Sequence, residues 1–245
     1  MDYDFSRILK YSLQFYLKRI NLIGLFSIPF IFAFLIPVLV PAPTYLALGG
    51  LFLRTGSIPD LSILDLLVTI VGYAISVFLI ADSIVNINLI IRSKRTLTEV
   101  TSEIVNAMGT FGVRIFVIYT VILALLFFMQ VLTYESPLQS VIYPLFSLLL
   151  SFCLFFVAPA VVIDNSGLIE AIGKSVDLAF RKPLYIIFWF VSVLVILSLF
   201  KVFFDLFLPS FVSGYLLLIL NSLFILPFFT ILQTQMYMEK YPLAK

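Results

Sequence analysis

Few residues in this chain could take part in catalysis or metal binding. The 245 residues include no histidine, and the only cysteine, Cys153, lies inside an apolar run. Histidine is the commonest general base and a common metal ligand, so its absence removes many hydrolytic and metal-dependent mechanisms. Asp82 is the only aspartate placed deep in an apolar segment, so the paired aspartates of an intramembrane protease are missing too. We therefore expect a protein that is not an enzyme and that holds no metal and no cofactor.

The remaining candidates are polar side chains within or at the ends of apolar segments: Asp82, Ser83, Asn86, Asp164 and Gln233. Asp82, Ser83 and Asn86 fall near one helix face, and Asp82 is expected only ~5 Å inside the hydrocarbon, where a carboxylate costs little. Two interpretations of Asp82 stay open: an acid at the membrane surface that pairs with a basic residue, and part of a polar cavity open to the cytoplasm. Asp164 is expected to cap the helix that begins near Ser166, or else to join that cavity. Gln233 is expected to form an interhelical hydrogen bond unless it also joins the cavity.

The elements that must position these residues are membrane-spanning helices. Apolar side chains make up 62% of the chain and charged ones only 11%, against roughly 45 to 50% and about 25% in soluble proteins. Continuous apolar runs of about 20 residues are typical of transmembrane helices and not of membrane strands. The sequence predicts an all-α integral membrane protein with six spans: 21–40, 63–91, 113–131, 141–162, 184–204 and 215–236. Prolines within the first, fourth and sixth spans predict kinks whose freed carbonyls neighbouring helices can bond.

Basic residues are distributed unevenly between the two sides of these spans. The N-terminal segment, the second-to-third and fourth-to-fifth connections and the tail together carry 13 Lys and Arg, whereas the other side carries only Arg54 and Lys201. Basic residues are retained on the cytoplasmic side of membrane proteins. We therefore expect both termini in the cytoplasm of a prokaryotic cell, with the chain in the cell membrane.

Internal similarity predicts a three-fold repeat within one membrane domain, 1–245. A shift of 71 residues aligns Leu97, Glu99, Val105 and Asn106 with Leu168, Glu170, Val176 and Asp177. A shift of 163 aligns Ser12, Gln14, Lys18 and Arg19 with Ser175, Asp177, Arg181 and Lys182. Each match precedes an odd-numbered span, so the units are roughly 1–92, 93–164 and 165–245, each with an amphipathic helix followed by two spans.

Three cytoplasmic amphipathic helices are expected to lie in the membrane interface. In the third, Ile169, Ile172, Val176 and Phe180 share one face and Glu170, Lys174, Asp177 and Arg181 the other. The acids precede the bases by four residues, which predicts ion pairs along the helix. In the first, Leu9, Leu13, Tyr16 and Ile20 oppose Arg7, Lys10, Gln14 and Lys18; in the second, Val100, Ile104, Met108 and Phe111 oppose Glu99, Ser102, Glu103 and Asn106. Helices of this kind next to a span usually lie along the membrane surface.

One stretch carries a resemblance to known membrane proteins. In residues 156–175 an apolar segment containing Pro159 leads to Asp164, a short turn and a helix with Ala171 and Ser175. This arrangement resembles a broad prokaryotic group that includes the membrane domain joined to some glycerophosphodiester phosphodiesterases. The resemblance implies the multi-span architecture over about 60 to 80 residues. The soluble phosphodiesterase domain is absent from this sequence, so no activity is implied.

Two functional hypotheses remain open. The first is a non-catalytic membrane component that organises lipid or binds another membrane protein, and the scarcity of intramembrane charge favours it. The second is a transporter or channel for a small solute or lipid, with repeats around an axis along the membrane normal and a cavity near Asp82. The net charge of +2 and the scattered basic residues give no basis for nucleic-acid binding.

Overall fold

A computed structural model describes residues 4–39, 63–96, 108–133 and 136–239, and this part of the chain contains helices and turns but no strand. Two of the ten α-helices in the described ranges are amphipathic, and the other eight are largely apolar. They are α1 (Phe5–Lys18), α2 (Ile20–Leu39), α3 (Ile63–Thr96), α4 (Val113–Leu132), α5 (Gln139–Cys153), α6 (Val157–Ile163), α7 (Leu168–Arg181), α8 (Pro183–Phe207), α9 (Ser210–Leu220) and α10 (Leu226–Met238). A π-helical turn precedes α4 and another joins α9 to α10.

Six helical segments among the described residues are long and apolar enough to cross a membrane, which confirms the predicted all-α membrane fold. The first span is α2, the second α3, the third α4 with its preceding π-turn, the fourth α5 with α6, the fifth α8 and the sixth α9 with α10. The second span, α3, is the longest of the described helices. Its 34 residues extend for about 50 Å at 1.5 Å per residue. It therefore exceeds the roughly 30 Å hydrocarbon core.

The six spans pack in a cyclic pattern. The second, fourth and sixth spans contact one another and form an inner group. The first span packs against the second and sixth, and the third packs against the second and fourth. The fifth packs against the sixth, and its Trp189 and Phe190 meet Phe155 of the fourth. Each odd-numbered span thus lies outside, between two inner ones.

The two described amphipathic helices follow the same cyclic pattern. Helix α7 packs on the fourth span, which precedes it in the chain, and α1 packs on the sixth. Each amphipathic helix therefore packs on an even-numbered span: α7 on the span before it in the chain, and α1 on the last span, which takes the corresponding place in a cyclic order. Most of the second predicted amphipathic helix lies outside the described residues, as do the connection with Arg54 and the basic tail. Of its predicted apolar residues, Met108 and Phe111 lie in the π-helical turn before α4, and Phe111 is buried. A common origin of the three units stays a prediction.

The fourth span is interrupted just before Pro159, where only a kink was expected, whereas its first helix, α5, continues through Pro144. Helix α5 ends at Cys153 and α6 begins at Val157, with a turn between them. Pro159 has no N–H, so the carbonyl of Phe155, four residues earlier, has no donor from its own helix. The Val157 N–H bonds the Leu154 carbonyl at 3.1 Å, which also leaves the Cys153 carbonyl without its helical partner.

Side chains from two other elements bond the backbone groups freed at this break. The Ser175 hydroxyl of α7 donates to the Cys153 carbonyl (2.8 Å) and accepts from the Phe156 N–H (2.9 Å). Gln233 of the sixth span donates through Nε2 to the Phe155 carbonyl. Because unbonded backbone groups are costly in a membrane, these side chains make the interruption tolerable.

A proline of the first span shows the same compensation. Pro37 cannot donate to the carbonyl of Ala33, and the Ser76 hydroxyl of the second span donates to that carbonyl at 2.5 Å. The expectation that neighbouring helices bond carbonyls freed by proline is therefore confirmed at Pro37 and at Pro159.

Candidate functional site: the basic end and its surface helices

Long basic side chains converge where the second, fourth and sixth spans end and the third and fifth begin, which we name the basic end. The Arg92 guanidinium donates to the Val162 carbonyl at 2.9 Å. Arg114 donates to the Asn165 side chain and to the Ser166 carbonyl, both at 3.1 Å. These bonds fix the turn between the fourth span and α7, where Asn165 has a φ of 52°, a conformation that asparagine tolerates better than most residues.

Asp164 links this turn to α7 and to the sixth span. Its Oδ2 accepts a hydrogen bond from the Tyr237 hydroxyl at 2.8 Å and lies 3.3 Å from the Lys174 Nζ. The expectation that Asp164 caps the next helix is wrong, because α7 has Gly167 at its N-cap and no side-chain capping bond. A cation and a hydroxyl from other elements engage the carboxylate instead, so Asp164 joins elements rather than ending one.

Lys174 connects Asp164 to the first turn of α7. Its Nζ lies 2.6 Å from Glu170 and donates to the Ser166 hydroxyl at 2.7 Å. The hydrogen bond that Lys174 donates to Glu170, together with the charge of Lys174, lowers the pKa of Glu170, and the same hydrogen bond raises the pKa of Lys174. The predicted i,i+4 ion pair is confirmed here, and Asp177 with Arg181 forms the second at 2.8 Å.

One face of α7 packs on the bundle through small side chains. The buried residues of this helix are Ala171, Ser175, Leu178 and Ala179. Small residues let helix backbones approach closely, and here they bring Ser175 within reach of the break in the fourth span. The sequence interpretation divided α7 into two faces and missed this one. The spacing of Ala171, Ser175 and Ala179 by four residues is the signal that could have shown it.

The exposed surface of α7 divides into an apolar and a charged face. Ile169 is 87% exposed and Phe180 63% exposed, and Ile172 lies on the same side. Glu170 and Asp177, with their lysine and arginine partners, occupy the other exposed side. Of the predicted apolar set, Ile169 and Ile172 are exposed and Val176 is half-buried. The ring of Phe180 packs edge-to-face on Phe152 of the fourth span at 5.6 Å, so this set only partly faces away from the bundle. In a membrane protein such a face has acyl chains as its natural neighbour.

Helix α1 has the same three-sided construction. Ile8, Ser12, Phe15 and Tyr16 are buried, and Tyr16 packs edge-to-face on Phe228 of the sixth span. Leucines form the exposed apolar face, and basic and amide residues form the polar one. The exposed leucines are Leu9, Leu13 and Leu17, and the polar residues are Arg7, Lys10, Gln14 and Lys18. Tyr16 was expected beside the leucines but belongs to the buried face.

The three faces follow one another in the same rotational order in both helices. At 100° per residue, the buried face is followed by the apolar face and then by the charged face in α1 and in α7. Two helices on the same membrane surface can share this order only if both run around the bundle in the same direction. The face order therefore agrees with the cyclic packing of the spans.

Asp82, Ser83 and Asn86 lie together on the second span. The Asn86 Nδ2 donates to Asp82 Oδ1 at 2.9 Å, and no described Lys or Arg forms an ion pair with Asp82. Ser83 is fully buried and Asn86 is 5% exposed, and neither the Ser83 hydroxyl nor the Asn86 Oδ1 has a partner among the described residues. The Ser12 hydroxyl of α1 is a third buried oxygen without a partner among the described residues.

The five candidate residues fall into three groups: Asp82, Ser83 and Asn86 on the second span, Asp164 before α7, and Gln233 on the sixth span. Within the described residues no hydrogen bond joins Asp82 to Asp164 or to Gln233. Thr234 of the sixth span donates to the Asn88 side chain of the second at 2.5 Å, so these two inner spans are also bonded directly to each other. The interhelical role expected for Gln233 is confirmed, with a backbone carbonyl as its partner.

A further polar group lies at the opposite end of the bundle. Lys201 Nζ lies 2.7 Å from Asp205 Oδ1 and donates to the Ser213 hydroxyl at 2.7 Å. Ser213 in turn donates to Asp205 at 2.5 Å. The group joins the end of the fifth span to the start of the sixth. Sequence reasoning placed Lys201 on this side but did not identify its partners, although Lys201 and Asp205 have the i,i+4 spacing.

The fold and its polar bonds define a multi-span helical membrane protein with amphipathic helices at the basic end. Comparison with known protein families, with characterised proteins and with solved structures finds no match. The resemblance to membrane domains of glycerophosphodiester phosphodiesterases therefore stays a prediction.

Proposed function

We propose that this protein is a non-catalytic component of a prokaryotic cell membrane that organises lipid around a rigid six-span bundle, with both termini in the cytoplasm. The observation that carries the proposal is the three-sided form of α1 and α7. A helix that packs on protein with one face and exposes an apolar and a charged face has the shape required by the boundary between acyl chains and water.

The polar interior supports a structural role for the bundle. Ser76, Ser175 and Gln233 bond backbone carbonyls that the helices cannot bond themselves, and Asn88 and Thr234 bond each other. Side chains used in this way stabilise one packing of the spans. A rigid bundle that presents fixed apolar surfaces is suited to ordering adjacent lipids.

Native mass spectrometry of the chain released from nanodiscs tests this proposal by counting retained lipids. Replacing the exposed apolar face of α7, Ile169→Ser with Ile172→Ser, should reduce the number of lipids retained. Asp177→Asn with Arg181→Gln changes the charged side of the same helix and serves as the matched control, with retention expected at the parent level. Equal retention in all three proteins would contradict the proposal, and a second protein bound at unit stoichiometry would favour partner binding.

The alternative function, transport of a small solute, is favoured by one observation. The unbonded Ser83 hydroxyl and Asn86 Oδ1 lie on the same helix as a half-buried carboxylate, Asp82, and oxygen atoms of this kind suit a cation or a water molecule. Proteoliposomes loaded with sodium- or proton-sensitive dye test it directly. Uptake that Asp82→Asn reduces would support transport, whereas uptake equal to that of protein-free liposomes would exclude it for these ions.

A further inference from the structure

The basic residues at the basic end differ in whether other described residues engage them. Arg92 and Arg114 bond backbone and side-chain oxygens, and Lys174 and Arg181 form ion pairs. Lys182 lies 2.6 Å from Glu239. All five have partners in the chain: Lys174, Arg181 and Lys182 pair with carboxylates, and Arg92 and Arg114 are hydrogen-bonded to the turn before α7.

The basic side chains of α1 and of Arg19, directly after it, differ from these five. Lys10, Lys18 and Arg19 form no ion pair with any acidic residue in the described ranges, and the Arg7 guanidinium lies 5.7 Å from the centre of the Tyr11 ring. The stretch from Phe5 to Arg19 contains no acidic residue, and Asp4, directly before it, caps α1 by accepting a hydrogen bond from the Arg7 N–H. The corresponding stretch in α7 carries two acids, both paired. Helices α1 and α7 thus share the arrangement of three faces and differ in net charge.

The uncompensated charges lie beside the apolar face of the same helix. Lys10 is next to Leu9 and on the turn before Leu13, and Lys18 follows Leu17, with all of these side chains exposed. A long basic side chain beside an apolar face can place its stem against acyl chains and its charge among headgroup phosphates. A headgroup with net negative charge compensates such a helix, whereas a zwitterionic headgroup does not.

We propose that α1 selects phospholipids with anionic headgroups and that α7 does not. This inference rests on the proposed function, since both helices must lie in the membrane interface. The chemistry recognised is a phosphodiester headgroup of net charge −1, held against the polar face of α1 by Lys10 and Lys18. Helix α7, whose charges are already paired, contacts lipid through its apolar side only.

Association of spin-labelled phosphatidylglycerol and phosphatidylcholine with the reconstituted protein measures this selectivity. The parent is expected to favour phosphatidylglycerol by about two-fold or more at low salt. The preference should fall towards unity as salt rises to about 1 M, where the Debye length is about 3 Å. Equal association of the two lipids at low salt would overturn the proposal.

Matched variants assign the preference to α1. Lys10→Gln with Lys18→Gln should remove most of the preference, and Lys10→Arg with Lys18→Arg should retain it because the charges remain. Asp177→Asn with Arg181→Gln removes one acid and one base from α7 and should leave the preference unchanged. A preference that survives the glutamine variant, or that the α7 variant removes equally, would contradict the proposal.

The two proposals fail in distinguishable ways. If spin labels show α1 and α7 at the interface but phosphatidylglycerol is not preferred, the lipid-organising function stands and the headgroup selectivity is wrong. If the labels show that the helices lie away from the membrane, the function itself is wrong. Co-purification of an acidic protein that Lys10→Gln with Lys18→Gln displaces would also overturn the lipid assignment, in favour of a protein ligand.

Discussion

Gln233 of the sixth span donates a hydrogen bond to the carbonyl of Phe155, which lies at the interruption of the fourth span. The reason for this contact is found four residues after Phe155, where Pro159 lacks the N–H that would otherwise bond that carbonyl. A proline in the fourth span therefore leaves a backbone carbonyl without a donor, and a side chain of the sixth span supplies that donor. The contact joins residues 78 positions apart.

Replacing Gln233 by leucine should lower the free energy of unfolding by about 1 to 3 kcal/mol, because the Phe155 carbonyl would stay buried without a donor. Gln235→Leu, on the same helix, is the control and should have a smaller effect. Unfolding in SDS can be followed by fluorescence of Trp189, the only tryptophan, whose ring centre lies 5.2 Å from that of Phe155. Equal effects of the two substitutions would argue against the contact.

Pro159→Ala offers an independent check of the cause. An alanine at 159 can donate its own N–H to the Phe155 carbonyl, so Gln233→Leu should cost less in a Pro159→Ala background than in the parent. The coupling free energy between the two positions is expected to lie in the range of about 0.5 to 3 kcal/mol for contacting residues. If the effects of Gln233→Leu and Pro159→Ala on the free energy of unfolding are strictly additive, Pro159 is not the reason that the Phe155 carbonyl requires a donor from Gln233.

Ser76 and Pro37 should show the same coupling. Ser76→Ala strands the Ala33 carbonyl and is expected to destabilise the protein by about 1 to 3 kcal/mol, with a smaller loss when Pro37 is alanine. Ser192→Ala on the outward-facing fifth span serves as a control for loss of a hydroxyl. Identical losses from Ser76→Ala with and without Pro37 would contradict the assignment.

The positions of the spans and the contacts within one helix could be predicted from the sequence. Continuous apolar runs predicted six spans, and i,i+4 spacing predicted the Glu170–Lys174 pair, because both depend on neighbouring residues only. The partner of Gln233 and the link from Asp164 to Tyr237 depend on which spans become neighbours, and periodicity carries no such information. The third face of α7 escaped because small residues give little hydropathy signal although they pack closely.

The ion pair between Lys174 and Glu170 predicts how the order at the start of α7 responds to pH. The pKa of Glu170 is lowered from 4.5, so the stabilisation by its charged form is complete above that value and is lost as pH falls through the folded-state pKa. The pKa of Lys174 is raised from 10.5, so its contribution is complete below 10.5 and is lost at higher pH. The helix start should therefore be most ordered between about pH 5 and pH 10.

A spin label at Ile169 reports this order through its mobility. Mobility should rise as the pH falls below the range of stability, and the rise should be smaller in Glu170→Gln, which cannot lose a charge. Asp177→Asn, which removes the other acid of α7, is the control and should keep the acid transition of the parent. The same transition in Glu170→Gln as in the parent would show that another group controls the turn.

The orientation of the bundle is tested by labelling single cysteines in a Cys153→Ser background. The excess of basic residues at one end predicts that Asp4→Cys is reached only by a reagent that enters the cytoplasm. Leu138→Cys, which lies in the turn between the third and fourth spans, is the matched position at the opposite end and should react from outside. Labelling of Asp4→Cys from outside would reverse the proposed orientation.

The most direct test of the account is the depth of spin labels placed one at a time along α1 and α7 in lipid bilayers, measured by relaxation from oxygen and from a water-soluble nickel complex. Depth should vary with a period near 3.6 residues. Labels at Leu13 and Ile169 should lie among acyl chains, and labels at Gln14 and Asp177 should lie in water. A flat profile, or equal exposure of Ile169 and Asp177 to the nickel complex, would contradict the proposal that these helices lie at the membrane interface.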